Sequence, residues 1–129
     1  MSSLSGAAQQ RVSVSNAGCD IVNGSYEKRP ASSIPKAFAM VCEQNSWDTQ
    51  STWHQLNGAS DWWELPANDS LMYYNRGDKQ WWMDSGETGM GVYVSPMASA
   101  AHAANNLPPS SGWRPLSKGV MPLPEVTVN

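Results

Sequence analysis

Apolar and polar residues alternate with a period of two in several short segments between residues 61 and 96. Because successive side chains of a β-strand point to opposite faces, this alternation is typical of strands with one buried face. Turn segments rich in Gly, Asn, Asp and Pro separate these segments, as expected between antiparallel neighbours. The pattern predicts a four-stranded meander with strands at Asp61–Leu65, Leu71–Tyr74, Gln80–Asp84 and Val92–Ser95.

The residues before the meander carry weaker strand signals. Two Asn-Gly pairs, at 23–24 and 57–58, favour hairpin-type turns because Asn and Gly tolerate a positive φ. Short apolar or alternating runs lie on either side of these pairs. They predict further strands at Arg11–Val14, Ser25–Arg29, Ala37–Cys42 and Thr52–Leu56.

The two ends of the chain have no regular pattern. Residues 1–10 predict a flexible tail, and residues 96–106 predict an Ala-rich loop or a short helix. Residues 107–129 carry several prolines, which exclude a central strand and predict an extended strap anchored by Trp113. A chain of 129 residues has the usual size of one domain. The prediction is a single antiparallel all-β domain at residues 11–129, a meander or barrel of about six to nine strands.

Alternation also divides the side chains of the meander between two faces. The predicted core face carries Trp63, Leu65, Leu71, Tyr73, Trp81, Met83, Val92 and Val94. The opposite face carries an aromatic set of Trp62, Met72, Tyr74, Trp82 and Tyr93. Either the protein's own termini cover this second set, or part of it stays open to a partner, since Trp and Tyr are favoured at interfaces. The candidate partner-binding residues are Trp62, Tyr74, Trp82, Tyr93, Trp47 and Trp53.

Composition and charge narrow the partner class. Seven Trp and seven Met stand against one Phe, so a few large side chains supply the core. The formal net charge is −3 and the eight basic residues are scattered, which makes nucleic acid a poor partner. Six acids lie between residues 61 and 87 and are expected to face solvent.

The chain also lacks targeting and spanning signals. It begins MSSLSGAAQQ, without the basic and apolar regions of a secretory signal. No run approaches the roughly 20 apolar residues that span a bilayer. Cys19 and Cys42 are too few for a disulfide framework. A soluble intracellular protein with reduced thiols and no membrane insertion is therefore expected. A cytoplasmic, cytoskeletal or ciliary location is suggested by the type of protein and not by particular residues.

No motif assembles a catalytic or metal site. The glycine-rich loop at residues 86–91 matches no phosphate-binding fingerprint, and no nucleophile signature is present. Glu64 and Asp84 could in principle act as a glycosidase pair, but nothing singles them out. The candidate metal ligands, which have no ligand spacing, are His54, His102, Cys19 and Cys42. The sequence thus disfavours an enzyme and predicts no metal or cofactor.

Two terminal segments, VSVSNAG…IVNGSY and LPPSSGW…KGVMPLPEV, enclose the Trp/Tyr strands. This order resembles a small β module that recurs in protist proteins, with V-x-G-A-G and V-N-G-x-Y before the strands and P-P-x-x-G-W and P-x-P-x-V after them. The likeness extends over residues 12–126. The matching residues are Val14, Ala17, Gly18, Val22, Asn23, Gly24, Tyr26, Trp63, Tyr73, Trp82, Tyr93, Pro108, Pro109, Gly112, Trp113, Pro122, Pro124 and Val126. The chain departs from the module at Ser15-Asn16, which replaces a glycine, and in a longer segment at Glu43–Ser60.

The resemblance implies a protein-binding unit without catalytic residues, because the module occurs alone, in repeats, or beside ubiquitin-ligase domains or ankyrin arrays. The leading hypothesis is a structural or adaptor protein that binds other proteins within a larger assembly of a cytoskeletal, ciliary or organellar kind. The alternative is a small-ligand or carbohydrate-binding module that uses exposed Trp and Tyr rings. A small hydrolase is a remote third hypothesis.

Overall fold

The protein is a curled half-barrel of eight strands, seen in a computed structural model that describes residues 10–96 and 107–129. The strands are β1 (Arg11–Ser15), β2 (Gly24–Arg29), β3 (Trp62–Leu65), β4 (Ser70–Asn75), β5 (Gln80–Asp84), β6 (Gly91–Val94), β7 (Arg114–Pro115) and β8 (Glu125–Val128). One turn of 3-10 helix spans Asp20–Val22. The helices are α1 (Lys36–Gln44) and α2 (Thr49–Asn57).

All eight strands form one antiparallel sheet in the order β7-β6-β5-β4-β3-β2-β1-β8. Consecutive strands are therefore neighbours from β1 to β7, and β8 returns to pair with β1. The predicted all-β domain is confirmed. The four predicted meander strands correspond to β3–β6, and the strands predicted at Arg11–Val14 and Ser25–Arg29 correspond to β1 and β2.

Two of the predicted strands are wrong, because the segments 37–42 and 52–56 lie in helices. An apolar run of this length suits a strand or a helix equally. In α1, Ala37, Phe38 and Cys42 reach the sheet from one side of the helix. The side chain of Asp48 accepts a hydrogen bond from Gln50 N at 3.2 Å and begins α2.

Neither Asn-Gly pair forms the hairpin turn that the sequence predicts. Gly58 has a φ of 68° and ends α2, as glycine commonly ends helices. Asn23 is extended, with φ −76° and ψ 131°, and follows the 3-10 turn. Its side-chain amide instead bridges the loop: Nδ2 donates to the Ala17 carbonyl and Oδ1 accepts from Ala17 N, each at 3.0 Å. This Asn23 bridge holds the start of β2 against the end of β1.

The sheet separates two apolar cores. The inner core fills the curl and contains Val12, Val14, Ala17, Val22, Tyr26, Trp63, Leu65, Met72, Trp81, Met83, Val92, Tyr93, Trp113 and Val126. The helix core lies between the sheet and the two helices and contains Ala37, Phe38, Cys42, Trp53, Trp62, Leu71 and Tyr73. Residues from both ends of the chain meet in the inner core, so the curl joins segments that are distant in sequence.

The predicted assignment of side chains to faces is wrong for β4 and for Tyr93 and Val94 of β6, whereas Val92 lies in the inner core as predicted. Met72 lies opposite both Trp63 and Met83, whereas Tyr73 lies opposite Trp82. Met72 therefore shares the inner face with Trp63, and the predicted core residues Leu71 and Tyr73 belong to the helix core. Alternation shows which residues of one strand share a face, but it does not show which face of the sheet that is. A one-residue change in register moves all side chains of a strand to the opposite face.

In β6 a register irregularity has the same consequence. The pairing shifts between Met83 and Asp84, so that Tyr93 lies opposite Met83 and joins the inner core. Val94 is predicted on the same face as Trp63, but it lies opposite Trp82 in the sheet. A bulge of this kind adds one unpaired residue, and nothing in the local alternation marks its position.

The Pro-rich strap is docked, as the sequence predicts. Trp113 is 2% exposed within the inner core, and its Nε1–H donates to the Pro109 carbonyl at 2.9 Å. Gly18 N donates to the Pro122 carbonyl at 2.8 Å, which joins the strap to the β1–β2 connection. The predicted tail and Ala-rich segment lie outside the described residues, except for Gln10 and Pro96 at their ends.

Candidate functional site

Three of the six predicted partner-binding residues are buried inside the protein, and two more are half-buried. Trp53, Trp62 and Tyr93 are 3%, 1% and 0% exposed. Tyr74 and Trp82 are half-buried beside the inner core and the helix core, respectively. Trp47 alone among the six is well exposed, at 54%. The open aromatic face considered from the sequence is therefore covered, in part by the strap and in part by α1 and α2.

The indoles of the helix core are held by the turn that precedes α1. Trp62 Nε1–H donates to the carbonyls of Pro30 and Ser33, at 3.0 and 2.7 Å. Trp53 Nε1–H donates to the Ala31 carbonyl at 3.0 Å. The two rings meet edge to face, with centroids 5.9 Å apart. Both donors are thus used within the protein, and these rings hold the helices on the sheet.

The exposed Trp47 lies just beyond the end of α1. Its backbone N–H donates to the Cys42 carbonyl at 2.9 Å, after Ser46 has turned the chain with a φ of 58°. This geometry closes the helix and leaves the indole outside the helix core. Trp47 therefore has a backbone fixed by the fold and a side chain directed to the exterior.

The β5–β6 hairpin loop contacts the same helix. A Cβ atom at Gly89 would lie 2.5 Å from Val41 Cγ2 and 2.6 Å from the Ala37 carbonyl oxygen, so only glycine allows this contact. The contact places the neighbouring Met90 beside α1, with 49% of its surface exposed. We call Val41, Trp47 and Met90 the α1 patch. Met90 is not among the partner-binding residues that the sequence predicts, because a single apolar residue in a glycine-rich loop does not show whether it will be buried.

A surface cleft lies on the outer side of α2. Its volume is about 360 Å³, and it is lined by Ala31, Ser32, Ile34, Gln50, Trp53, His54, Gly58 and Ala59. Gln50 and His54 are exposed and lie one helical turn apart on its rim. Trp53 is 3% exposed and its Nε1–H is bound to Ala31, so the apolar part of the lining comes mainly from Ala31, Ile34 and Ala59. The cleft combines an apolar wall with a polar rim.

The two carboxyl groups considered as a catalytic pair do not form one. Glu64 and Asp84 both lie opposite Leu71 in the sheet, on either side of it. Glu64 accepts a hydrogen bond from Arg29 Nε at 2.9 Å. Asp84 is 4% exposed, and its Oδ1 has no hydrogen-bond partner among the described residues. Neither carboxyl group is thus free to approach a shared substrate.

Burial determines the protonation of Asp84. Desolvation raises the pKa of its carboxyl from 3.8 to about 8, because a low-dielectric environment disfavours the charged form. The pKa values of Tyr26 and Tyr73 are raised by burial and, to a smaller extent, by a negative charge at Asp84. The Asp84 carboxyl is therefore neutral at pH 7, beneath the hairpin loop that contacts α1.

The thiols and the other potential ligands are dispersed. The described part of the chain contains no group of three His, Cys, Asp or Glu side chains placed to hold a metal ion. Cys42 lies in the helix core, and burial raises the pKa of its thiol. Cys19 Sγ–H donates to the Lys118 carbonyl at 3.4 Å. Within residues 10–96 and 107–129, no helix is long and apolar enough to cross a lipid bilayer.

Residues that carry the resemblance to the protist module have structural roles here. A Cβ atom at Gly18 would lie 2.3 Å from the Met121 carbonyl oxygen, so the strap can pass only over glycine. Tyr26 is fully buried and donates to the Val22 carbonyl at 2.7 Å. Together with the Asn23 bridge and the buried Trp113, these contacts indicate that these motif residues stabilise the fold. None of these contacts involves Val41, Trp47 or Met90.

Among the described residues, the α1 patch and the α2 cleft have a composition suited to binding, and the strap also exposes two adjacent apolar residues, Val120 and Met121, at 55% and 63%. Comparisons of the chain with protein-family models, with curated proteins and with solved structures found no match.

Proposed function

We propose that this protein is a non-enzymatic adaptor that binds another protein through the α1 patch. The observation that carries the proposal is the position of Trp47, which is 54% exposed while Trp53, Trp62, Trp63, Trp81 and Trp113 are buried. Exposing an indole forgoes the stabilisation that its burial would provide. Trp is also among the residues most often responsible for binding energy at interfaces.

A second exposed apolar side chain next to α1 supports the same proposal. Met90 adds a second exposed apolar side chain, and Met adapts its shape to different partners because its side chain is unbranched and flexible. The backbones on both sides are fixed, by the Trp47–Cys42 hydrogen bond and by the contact of Gly89 with α1. A fixed backbone limits the conformational entropy lost on binding. A larger assembly of a cytoskeletal, ciliary or organellar kind is part of the proposal.

Site-specific photocrosslinking tests this function. A photoreactive residue at the exposed Gln44, on the last turn of α1, should capture a partner from native extract. Trp47→Ala should lower the yield about 30-fold, because truncation of an interface anchor costs about 2 kcal/mol. Met121→Ala, at a 63% exposed position on the strap, is the matched control and should leave the yield unchanged. Equal yields from all three proteins would overturn the proposal.

The α2 cleft favours a second candidate function, binding of a small ligand such as a saccharide. Its lining includes the apolar side chains of Ala31, Ile34 and Ala59, which together with the polar rim suit a sugar, since a sugar presents carbon faces and hydroxyl groups. Thermal unfolding measured with a panel of saccharides should show stabilisation by at least one of them. His54→Ala with Gln50→Ala should remove that stabilisation, since both side chains are exposed on the rim. A flat response across the panel contradicts this candidate.

A further inference from the structure

The carboxyl group of Asp84 is enclosed by the fold, and one of its oxygens is left unpaired. The residue is 4% exposed, and its Oδ1 has no hydrogen-bond partner among the described residues. None of the salt bridges within that part of the chain includes Asp84. Burial of an ionised carboxylate without compensating partners is strongly unfavourable, so this side chain must either stay neutral or move into water.

The titratable side chains around Asp84 do not compensate a charge there. A negative charge at Asp84 raises the pKa of Tyr26 on β2 and of Tyr73 on β4, and a tyrosine side chain is never positively charged. Burial is the cause of the raised pKa of Asp84, which is about 8. The other titratable side chains on the elements next to the hairpin loop do not contribute to it, namely Lys36, Cys42, Glu43, Asp69, Glu87 and Tyr93.

The sheet provides a boundary at which Asp84 can separate from the inner core. Asp84 is the last residue of β5, and the pairing with β6 shifts between Met83 and Asp84. Tyr93 lies opposite Met83, whereas Gly91 lies opposite Asp84. Because this shift already interrupts the ladder, the loop can open as far as Asp84 while the Met83–Tyr93 pair stays closed.

The β5–β6 hairpin loop is held closed by few contacts. Within the loop, Ser85 N donates to the Met90 carbonyl at 2.9 Å, and Gly89 N donates to the Ser85 carbonyl at 2.8 Å. Outside it, Gly86 N donates to Ser70 Oγ at 3.0 Å, and Gly89 contacts α1. The two glycines bury no side chain, and Met90 is 49% exposed. Opening of the loop therefore exposes little apolar surface and costs less than opening a strand of the inner core.

We propose that the β5–β6 hairpin loop, residues 85–90, is a pH-sensitive element that leaves α1 when Asp84 ionises. In the closed loop the carboxyl group is buried and neutral, and in the open loop it is hydrated and ionised. A hydrated aspartate has a pKa of about 3.9. The preference for the closed loop is therefore complete below about pH 4 and decreases as the pH rises toward 8.

Release of the loop would also change the α1 patch. Met90 is the last residue of the loop and one of the three side chains that define the patch. Opening of the loop carries Met90 away from α1, so binding of a partner through the patch should weaken as the pH rises. This consequence alone rests on the proposed function.

Hydrogen exchange measured by NMR between pH 5 and pH 7 tests the inference on the full chain. The amides of Ser85, Gly86 and Gly89 report opening of the loop, because each donates one of the hydrogen bonds that hold it closed. The amide of Trp81, which donates to Ser95 Oγ at 2.8 Å, reports larger openings of the sheet. Protection factors are compared, because they remove the intrinsic pH dependence of exchange.

The protection factors of the three loop amides should fall about tenfold for each pH unit, or about 100-fold over the whole range. Trp81 should keep a higher protection factor at every pH, because the inner core stays closed. Loop protection that does not change with pH would overturn the inference. Equal protection factors at Trp81 and in the loop would also overturn it, since the opening would then be global.

Two variants assign the pH dependence to one carboxyl group. Asp84→Asn should make the loop protection factors independent of pH. Glu87→Gln removes an exposed carboxyl group from the loop itself and should behave as the unmodified chain does. A pH dependence retained in Asp84→Asn would refute the role of Asp84.

The inference stays refutable even where asparagine at position 84 destabilises the fold, because the comparison of the loop with Trp81 uses the unmodified chain. None of these measurements involves a partner. Their outcome is therefore independent of the capture at Gln44 that tests the adaptor function.

Discussion

Replacement of Asp84 by asparagine should make the stability of the protein less sensitive to a rise in pH between about 4 and 8. The carboxyl is 4% exposed, and burial raises its pKa to about 8, whereas an aspartate in an unfolded chain has a pKa of about 3.9. Between these two values the folded protein keeps a proton that the unfolded chain has released. Stability contributed by the neutral carboxyl is therefore complete below about pH 4 and is lost as the pH rises toward 8.

The size of the effect follows from this difference. Each pH unit in that window costs about 1.4 kcal/mol, so stability falls by about 2.7 kcal/mol between pH 5 and pH 7. Asparagine has nearly the same shape and does not titrate in this range. The free energy of unfolding of Asp84→Asn should therefore gain about 2.7 kcal/mol relative to the unmodified protein over those two units.

Urea unfolding at pH 5, 6 and 7 measures this difference directly. Other titrating groups affect both proteins alike, so that subtraction of the two curves isolates position 84. Glu87→Gln removes an exposed carboxyl from the adjacent loop and is the matched control. A difference between the two proteins that changes by less than about 0.5 kcal/mol from pH 5 to pH 7 would show that Asp84 is ionised in the folded state.

Three further predictions concern the strap and the exposed indole. Trp113→Ala should lower the free energy of unfolding by about 3–5 kcal/mol in chemical denaturation, because the ring fills the inner core; a loss below about 1 kcal/mol would contradict a docked strap. Gly18→Ala should cost about 1–3 kcal/mol and increase hydrogen exchange of the amide at position 18, which donates to the Pro122 carbonyl, since the new methyl group would meet the strap backbone; unchanged exchange would exclude this close contact. Trp47→Ala should change stability by less than about 0.5 kcal/mol in the same denaturation assay, and a larger loss would mean that the indole packs within the fold.

The strand positions were predictable because they depend on local chemistry. Residues 80–84 form the strand β5 with the bounds that alternation predicts. Residues 61–65, 71–74 and 92–95 agree with β3, β4 and β6 to within one residue at each end. The docking of Trp113 followed similarly, since a proline-rich segment with one large ring gains order mainly by burying that ring.

The identity of α1 and α2 could not be derived from these segments alone. Residues 37–42 are apolar enough for a strand, and only the uncovered outer face of the sheet, with Trp62 and Tyr73, makes a helix the better cover. The candidate site depends on the same decision. Trp47 is exposed because α1 ends where it does, and Met90 lies beside that helix because Gly89 contacts it.

The sequence by itself thus determined the all-β class, six of the strands, the strap and its anchor, because strand alternation, turn residues and proline act over a few neighbours. The tertiary structure decided which face each strand buries, since register between strands depends on turn length and on the bulge before Asp84. It also decided which aromatic residues reach solvent. The sequence did not distinguish buried from exposed rings among the six partner-binding candidates. Three-dimensional packing buried Trp53, Trp62 and Tyr93 and left Trp47 outside both cores.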